Sequence, residues 1–312
     1  MKDYTLRILI SVIFAYAISL STAHGQANSE DDPTVPFRLE RSKIIIPTSI
    51  NGSKPMNLIL DTGMRFDGVY LFHLKALELI DTAGAIEVQV GGAGKGEAPK
   101  ATMIESGNLT FDNISLTDQP IVVSHSPHVQ TFPTDGVIGW SLFGHYQVEI
   151  DYDRQLIHLR DTNYVHNDST WVTVPVTMKE NLPFLDIEVE VVEGEVLPMH
   201  VYIDLASGDA LELLVHDYQK FTMPDSLTKS YLGTGISGDI NGHYGKTARL
   251  QIGGYDLYRI PTAFAPAEVR SKQGGADGII GNGLIRSFNI IFDYPRSRIL
   301  IKPNLTFDLP FE

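Results

Sequence analysis

Leu58-Ile59-Leu60-Asp61-Thr62-Gly63 runs three apolar residues into an acid, a hydroxyl residue and a glycine. An apolar strand that delivers a carboxylate into a tight turn is costly, because an ionised acid away from water must be paired or change its pKa. Taken alone, Asp-Thr-Gly also makes an ordinary turn, so the surrounding chain decides what the stretch means. Upstream, residues 44–50 have strand character, Asn51-Gly52 is a hairpin turn and residues 56–60 form the returning arm, which places Asp61 at the end of a hairpin. Downstream, residues 72–80 have the spacing of a short helix. Residues 87–90 are strand-like and end in Gly91-Gly92-Ala93-Gly94-Lys95-Gly96, with further strands around Leu109, Ile114 and residues 121–123. Short strands separated by turn residues predict a mainly β protein.

The chain then says the same thing twice. Asp135-Gly136-Val137-Ile138-Gly139-Trp140-Ser141-Leu142-Phe143 is matched by Asp277-Gly278-Ile279-Ile280-Gly281-Asn282-Gly283-Leu284-Ile285. The offset is constant without a gap, since 277 − 135 = 142 and 293 − 151 = 142 for the Asp-Tyr pairs that follow. Gly91 maps to Gly233 by the same 142 residues. Self-similarity at a fixed period marks a tandem duplication and outweighs any single motif. It also predicts a second apolar strand ending in an acid near residue 203. Val201-Tyr202-Ile203-Asp204-Leu205-Ala206-Ser207-Gly208 supplies it, with 204 − 61 = 143.

Each half resembles one lobe of the retropepsin-type aspartic peptidases: a hairpin, an Asp-Thr-Gly loop, a glycine-rich flap hairpin and a hydrophobic-hydrophobic-Gly strand. The whole resembles a bacterial exported aspartyl protease with two fused lobes in a pepsin-like layout, over nearly all of residues 37–303. The resemblance implies two tandem closed β lobes, at 37–160 and 172–303, joined by a polar linker at 161–171 and followed by a tail at 304–312. It implies that Asp61 and Asp204 are the catalytic acids of an endopeptidase acting on peptide or protein substrates as a monomer, without metal or cofactor. Thr62 and Gly63 would shape the first loop, and Gly139 and Gly281 would let the neighbouring strands approach the acid loops closely. Gly91, Gly94 and Gly96 in one half, and Gly233, Gly235 and Gly238 in the other, are the flap candidates. The chemistry needs two acids sharing one proton, one from each lobe, which makes a duplication its natural architecture.

The sequence also departs from the family. Met64 and Arg65 stand where small residues are usual, and the second loop reads Asp204-Leu205-Ala206 rather than Asp-Thr-Gly. Leu205 has no hydroxyl and Ala206 is less permissive than glycine. Ser207-Gly208-Asp209 is the nearest source of a replacement polar contact. A catalytically degenerate relative that binds peptide or another envelope ligand is therefore the alternative reading, since fold does not fix function.

Lys2 and Arg7 flank an apolar stretch at residues 8–20 that ends in small and polar residues, the pattern of a secretory signal peptide over residues 1–27. Cleavage after Gly25 and after Ala27 both fit. Residues 28–36 form a polar, proline-containing leader, and no later stretch is apolar for long enough to span a membrane. The absence of cysteine excludes thiol chemistry and a lipoprotein anchor, and in an exported chain it points to a bacterial periplasm or secretion rather than a disulfide-bonded animal or plant enzyme. About 280 residues remain after such a leader, enough for one large or two small domains. A net charge of −14 and a pI near 5.1 disfavour nucleic acid partners.

Other motifs carry less. Gly233-Thr234-Gly235-Ile236-Ser237-Gly238 has the G-x-G-x-x-G pattern, but turn residues follow it where a dinucleotide site needs a helix. No G-x-S-x-G is present. His125 and His128 lack companion zinc ligands in the sequence. Trp140 and Trp171 are expected to pack in the core or the cleft.

Overall fold

The computed structural model describes residues 33–270 and 275–311. The signal-peptide reading of residues 1–27 and most of the leader lie outside them. The fold is mainly β and contains two closed six-stranded barrels in tandem.

In the first barrel Lys43–Ile50, Met56–Leu60, Gly136–Ile138, Val69–Leu71, Ile114–Ser124 and Lys100–Phe111 follow one another around the ring. Pairing of Ser49 and Ile50 with Thr110 and Leu109 closes it. The second barrel repeats the order with Leu182–Glu190, Val196–Asp204, Gly278–Gly281, Leu211–Val215, Tyr255–Pro266 and Gly238–Ile252, and closes through Glu188–Glu190 against Arg249–Gln251.

Local chemistry explains these elements. The Asn51-Gly52 turn takes positive φ at both residues, 51° and 77°, the conformation that matches the twist of a two-residue hairpin. Leu182–Glu190 alternates inward apolar and outward polar side chains along its second half, as a barrel wall requires. The duplication extends to individual bonds. Asn57 N–H donates to Asp135 Oδ2 at 2.8 Å, and its counterpart His200 N–H donates to Asp277 Oδ2 at 2.9 Å.

A separate six-stranded antiparallel sheet joins the lobes, in the order Thr34–Pro36, Leu156–Arg160, Gln147–Asp151, Phe288–Asp293, Arg298–Pro303, Val172–Pro175. Its seam pairs Val148 with Phe292 and Ile150 with Ile290, all fully buried. Burial of each such side chain stabilises by about 1.5–3 kcal/mol. Thr34–Pro36 is thus a strand and not part of a flexible leader; Val35 is 1 % exposed and its partner strand lies over a hundred residues away, so nothing local announces it.

Candidate active site

The two acids lie at the ends of equivalent strands. Leu58–Leu60 runs parallel to Gly136–Ile138, and Val201–Asp204 runs parallel to Gly278–Gly281. Gly139 and Gly281 are where these neighbours touch the acid loops. A Cβ on Gly139 would lie 2.1 Å from the Asp61 carbonyl oxygen, and one on Gly281 would lie 2.2 Å from that of Asp209 and 2.9 Å from Ser207 Oγ. Only glycine admits that approach.

Asp61 and Asp204 face one another. A Cβ on Gly63 would sit 2.9 Å from Asp61 Oδ1 and 3.6 Å from both the carboxyl carbon and Oδ1 of Asp204, so both side chains converge on one point. Gly63 N–H donates to Asp61 Oδ1 at 2.6 Å, while Ala206 and Ser207 N–H donate to Asp204 Oδ1 at 3.0 and 3.2 Å. Burial first, and the Asp204 charge second, push the Asp61 carboxyl up to about 8, against smaller contributions from the Gly63 bond, Lys43 and Arg270. Acids in such proximity, one buried and one half-buried, hold one proton between them.

Thr62, 2 % exposed, bonds across the lobe junction: its hydroxyl donates to the Ile203 carbonyl at 2.7 Å and accepts from Leu205 N–H at 3.1 Å. Leu205 is fully buried in the main core. The replacement contact comes from the Ser207 backbone N–H, which reaches Asp204 within its own loop and not the other lobe.

The glycine-rich segments form a roof. Gly233, Gly235 and Gly238 belong to a hairpin whose arms, Thr228–Gly235 and Gly238–Ile252, meet at a two-residue turn. Gly91, Gly94 and Gly96 lie in the long, irregular loop of the corresponding hairpin of the first half, whose arms Ile86–Gln89 and Lys100–Phe111 pair antiparallel with Gln89 opposite Lys100. This loop interlocks with the hairpin tip: Ser237 N–H donates to the Ala93 carbonyl at 2.9 Å and Gly96 N–H to the Ser237 carbonyl at 2.8 Å. A Cβ on Gly235 would lie 2.1 Å from the Ala93 carbonyl oxygen, and one on Gly96 would lie 2.5 Å from that of Ser237. Gly91 lines the cavity beneath. Gly233 has no close neighbour and sits at a register irregularity of the hairpin.

The cavity beneath the roof measures about 550 Å³, within the roughly 300–1,000 Å³ of small-ligand sites. Its two ends differ. Met64, Phe66, Tyr70, Phe72, Val90 and Phe132 give the first-lobe end an apolar wall. Lys43, Ser207, Asp209, Glu212 and Arg270 make the other end polar and charged. Glu212, 3 % exposed, accepts from Arg270 Nε at 2.8 Å and Nη2 at 3.0 Å. Arg270 Nη1 lies 3.9 Å from Asp204 Oδ2. Burial opposes the guanidinium charge, but Glu212 and Asp204 help to hold it in place. Burial and then Glu212 push the Asp209 carboxyl up to about 6.

Sequence reasoning missed Glu212 and Arg270. Glu212 carried the same sign as Asp61, an acid inside the apolar run Ala210-Leu211-Glu212-Leu213-Leu214. Arg270 carried none, because Glu268-Val269-Arg270 has the composition of a solvated turn. Of the other residues singled out, His125 pairs with Thr102 at 2.8 Å and Trp140 stacks on Tyr294. Among the described residues no three His, Cys, Asp or Glu side chains are grouped to hold a metal ion, and no helix is long and apolar enough to cross a membrane. No known protein-family model matches the chain, and no curated protein sequence matches it.

Proposed function

We propose that this protein is an aspartic endopeptidase, exported from a bacterial cell, that cleaves peptide or protein substrates as a monomer at the junction of its lobes. The observation that carries the reading is the convergence of Asp61 and Asp204, from equivalent loops of a duplicated chain, in a roofed cavity. The ionised acid takes a proton from a water molecule as the water oxygen bonds to the scissile carbonyl carbon. The protonated acid gives its proton to the carbonyl oxygen. The resulting gem-diol collapses when the first acid passes its proton to the amide nitrogen, the C–N bond breaks, and one diol hydroxyl returns a proton to the second acid. The cycle closes with the starting protonation and requires no cofactor. The apolar end of the cavity suits an aromatic or aliphatic substrate side chain.

Cleavage of an unbiased peptide library between about pH 3 and pH 8, with and without pepstatin, tests the reading. Asp61→Asn and Asp204→Asn are each expected to abolish nearly all turnover, with the double variant little worse. Wild-type rates from Asp204→Asn would exclude a two-acid mechanism.

One observation favours a second reading. Leu205 and Ala206 replace the hydroxyl and glycine of the second loop, and the roof segments are bonded to each other across the cavity. A protein that binds peptide beneath this roof without turning it over is expected to retain pepstatin or peptide binding while every library peptide survives.

A further inference from the structure

The two ends of the dyad are not equivalent, and the difference can be traced to one pair of positions. Tyr70 and Glu212 correspond in the repeat (212 − 70 = 142), and each lies opposite the matching strand, Tyr70 against Val137 and Glu212 against Ile279. In the first lobe the Tyr70 hydroxyl donates to Ser124 Oγ at 2.8 Å, a neutral bond. In the second lobe the same place holds a carboxylate, and it fixes a guanidinium through two parallel bonds. Such a fork is rigid, because the planar donor set of arginine matches a carboxylate in one orientation. The third nitrogen, Nη1, is thereby left directed at Asp204, 3.9 Å from Oδ2.

We propose that Arg270, oriented by Glu212, is a positioning residue that keeps the single negative charge of the dyad on Asp204, making Asp204 the base and Asp61 the acid. The catalytic consequence rests on the aspartic peptidase reading; the placement of charge does not. Charge alone favours the arrangement. A guanidinium in near contact stabilises the ionised form of the acid beside it, and both partners are shielded from solvent, with side-chain exposures of 9 % for Arg270 and 12 % for Asp204. The elevated protonation of Asp61 agrees with the same division of roles. The other charged or titratable groups facing the pair are Lys43 from the first barrel, Asp209 and Glu212 from the second, and the buried hydroxyls of Tyr202 and Tyr294. Lys43, and after it Arg270, also favour the ionised form of Asp61, which tempers the asymmetry.

The test reads proton location directly. The full chain, carboxyl-labelled with ¹³C at aspartate, is titrated by NMR as wild type, Arg270→Gln, Arg270→Lys and the double variant Glu212→Gln with Arg270→Gln. Asp61→Asn and Asp204→Asn assign the two signals. In the wild type near pH 6 the Asp61 signal is expected to be that of the acid and the Asp204 signal that of the carboxylate. Arg270→Gln is expected to move proton occupancy from Asp61 toward Asp204 and to shift the dyad's titration by about one pH unit or more. Arg270→Lys is expected to restore most of the wild-type distribution, because it keeps the charge without the fork. If Arg270→Gln leaves Glu212 unpaired and fails to fold, the double variant removes both charges and gives the same readout. Unchanged signals in the folded variants, or a wild type with its proton on Asp204, overturn the proposal. In cleavage assays the acidic limb of the pH profile should move with the titration, and kcat should fall about tenfold or more with KM little changed. A moving proton in a wild type that cleaves nothing would sink the peptidase reading while the assignment of charge stands.

Discussion

Thr62 and Leu205 occupy equivalent positions in the two acid loops, and a one-way bond joins them. Leu205 N–H donates to Thr62 Oγ1 at 3.1 Å, while the Leu205 side chain has no polar atom to return across the junction. The same hydroxyl also serves the Ile203 carbonyl, so one threonine satisfies two buried backbone groups of the opposite lobe.

Thr62→Val should therefore weaken both the fold and the dyad. It keeps the shape and removes both bonds, and each buried backbone group left unsatisfied costs about 1–3 kcal/mol. Urea unfolding should show the loss, and turnover should fall further than stability alone accounts for, because a shift of about 1 Å at the acids can cost on the order of a hundredfold in rate. Equal unfolding midpoints for Thr62→Val and wild type would remove the hydroxyl from any bracing role.

Leu205→Thr tests the missing half of the bond. Leu205 is fully buried, so the substitution should cost about 2–4 kcal/mol, as large-to-small core changes do. If the new hydroxyl finds backbone across the junction, kcat rises and KM is unchanged, since the loop geometry serves the transition state. Steady-state kinetics of the two proteins side by side decides it. An inert pair whose wild type still binds peptide would favour the binding reading.

The pH dependence of stability should carry the signature of Asp61. Its carboxyl titrates near 8 in the fold and near 3.8 when unperturbed, so between those values the folded state holds a proton that the unfolded chain has released. The associated stability is fully present below about pH 4 and is lost as pH rises toward 8. Asp209 adds to the slope over the lower part of that window, up to about 6. Asp61→Asn should melt close to wild type near pH 4 and clearly above it near pH 8. Parallel melting curves across that range would contradict a protonated Asp61.

The roof makes a separate prediction. Gly235→Ala places a methyl group 2.1 Å from the Ala93 carbonyl oxygen and must push the interlocked segments apart. Hydrogen exchange at the Gly96 and Ser237 amides should then accelerate by an order of magnitude or more, since both are held by bonds across that contact. Exchange in the core strand Val201–Asp204 should not change. Unaltered protection at Ser237 would mean that the two segments are not braced by each other.

Much of this architecture was legible in the sequence for one reason: the duplication converts a weak motif into a test. The strand before Asp61 and its copy before Asp204 could be located by offset alone, and the glycine at 139 and 281 could be paired with them. What could not be read are contacts between segments distant in sequence whose local patterns are ordinary. Ser49 and Ile50 close a barrel against Thr110 and Leu109, yet neither stretch differs from an open strand. The loop of Gly91, Gly94 and Gly96 does tip a hairpin, as its matched glycines suggest, but it is long and irregular, and its contact with the hairpin tip of the other half has no local signal. Arg270 was hidden because its importance comes from Glu212 and Asp204, not from its neighbours along the chain.

The sheet that joins the barrels has a further consequence. Gln147–Asp151 from the first half and Phe288–Asp293 from the second are adjacent strands at its centre, with fully buried side chains along their seam, and the irregular segment 161–171 is the covalent link between the halves. The peptide connection is thus not what holds them together. A chain nicked within 161–171 should stay a single particle, and two separately made fragments should recognise each other as the halves of a symmetric dimer would. Continuity of the backbone sets the local concentration of one half for the other; the seam of Val148, Ile150, Ile290 and Phe292 supplies the affinity.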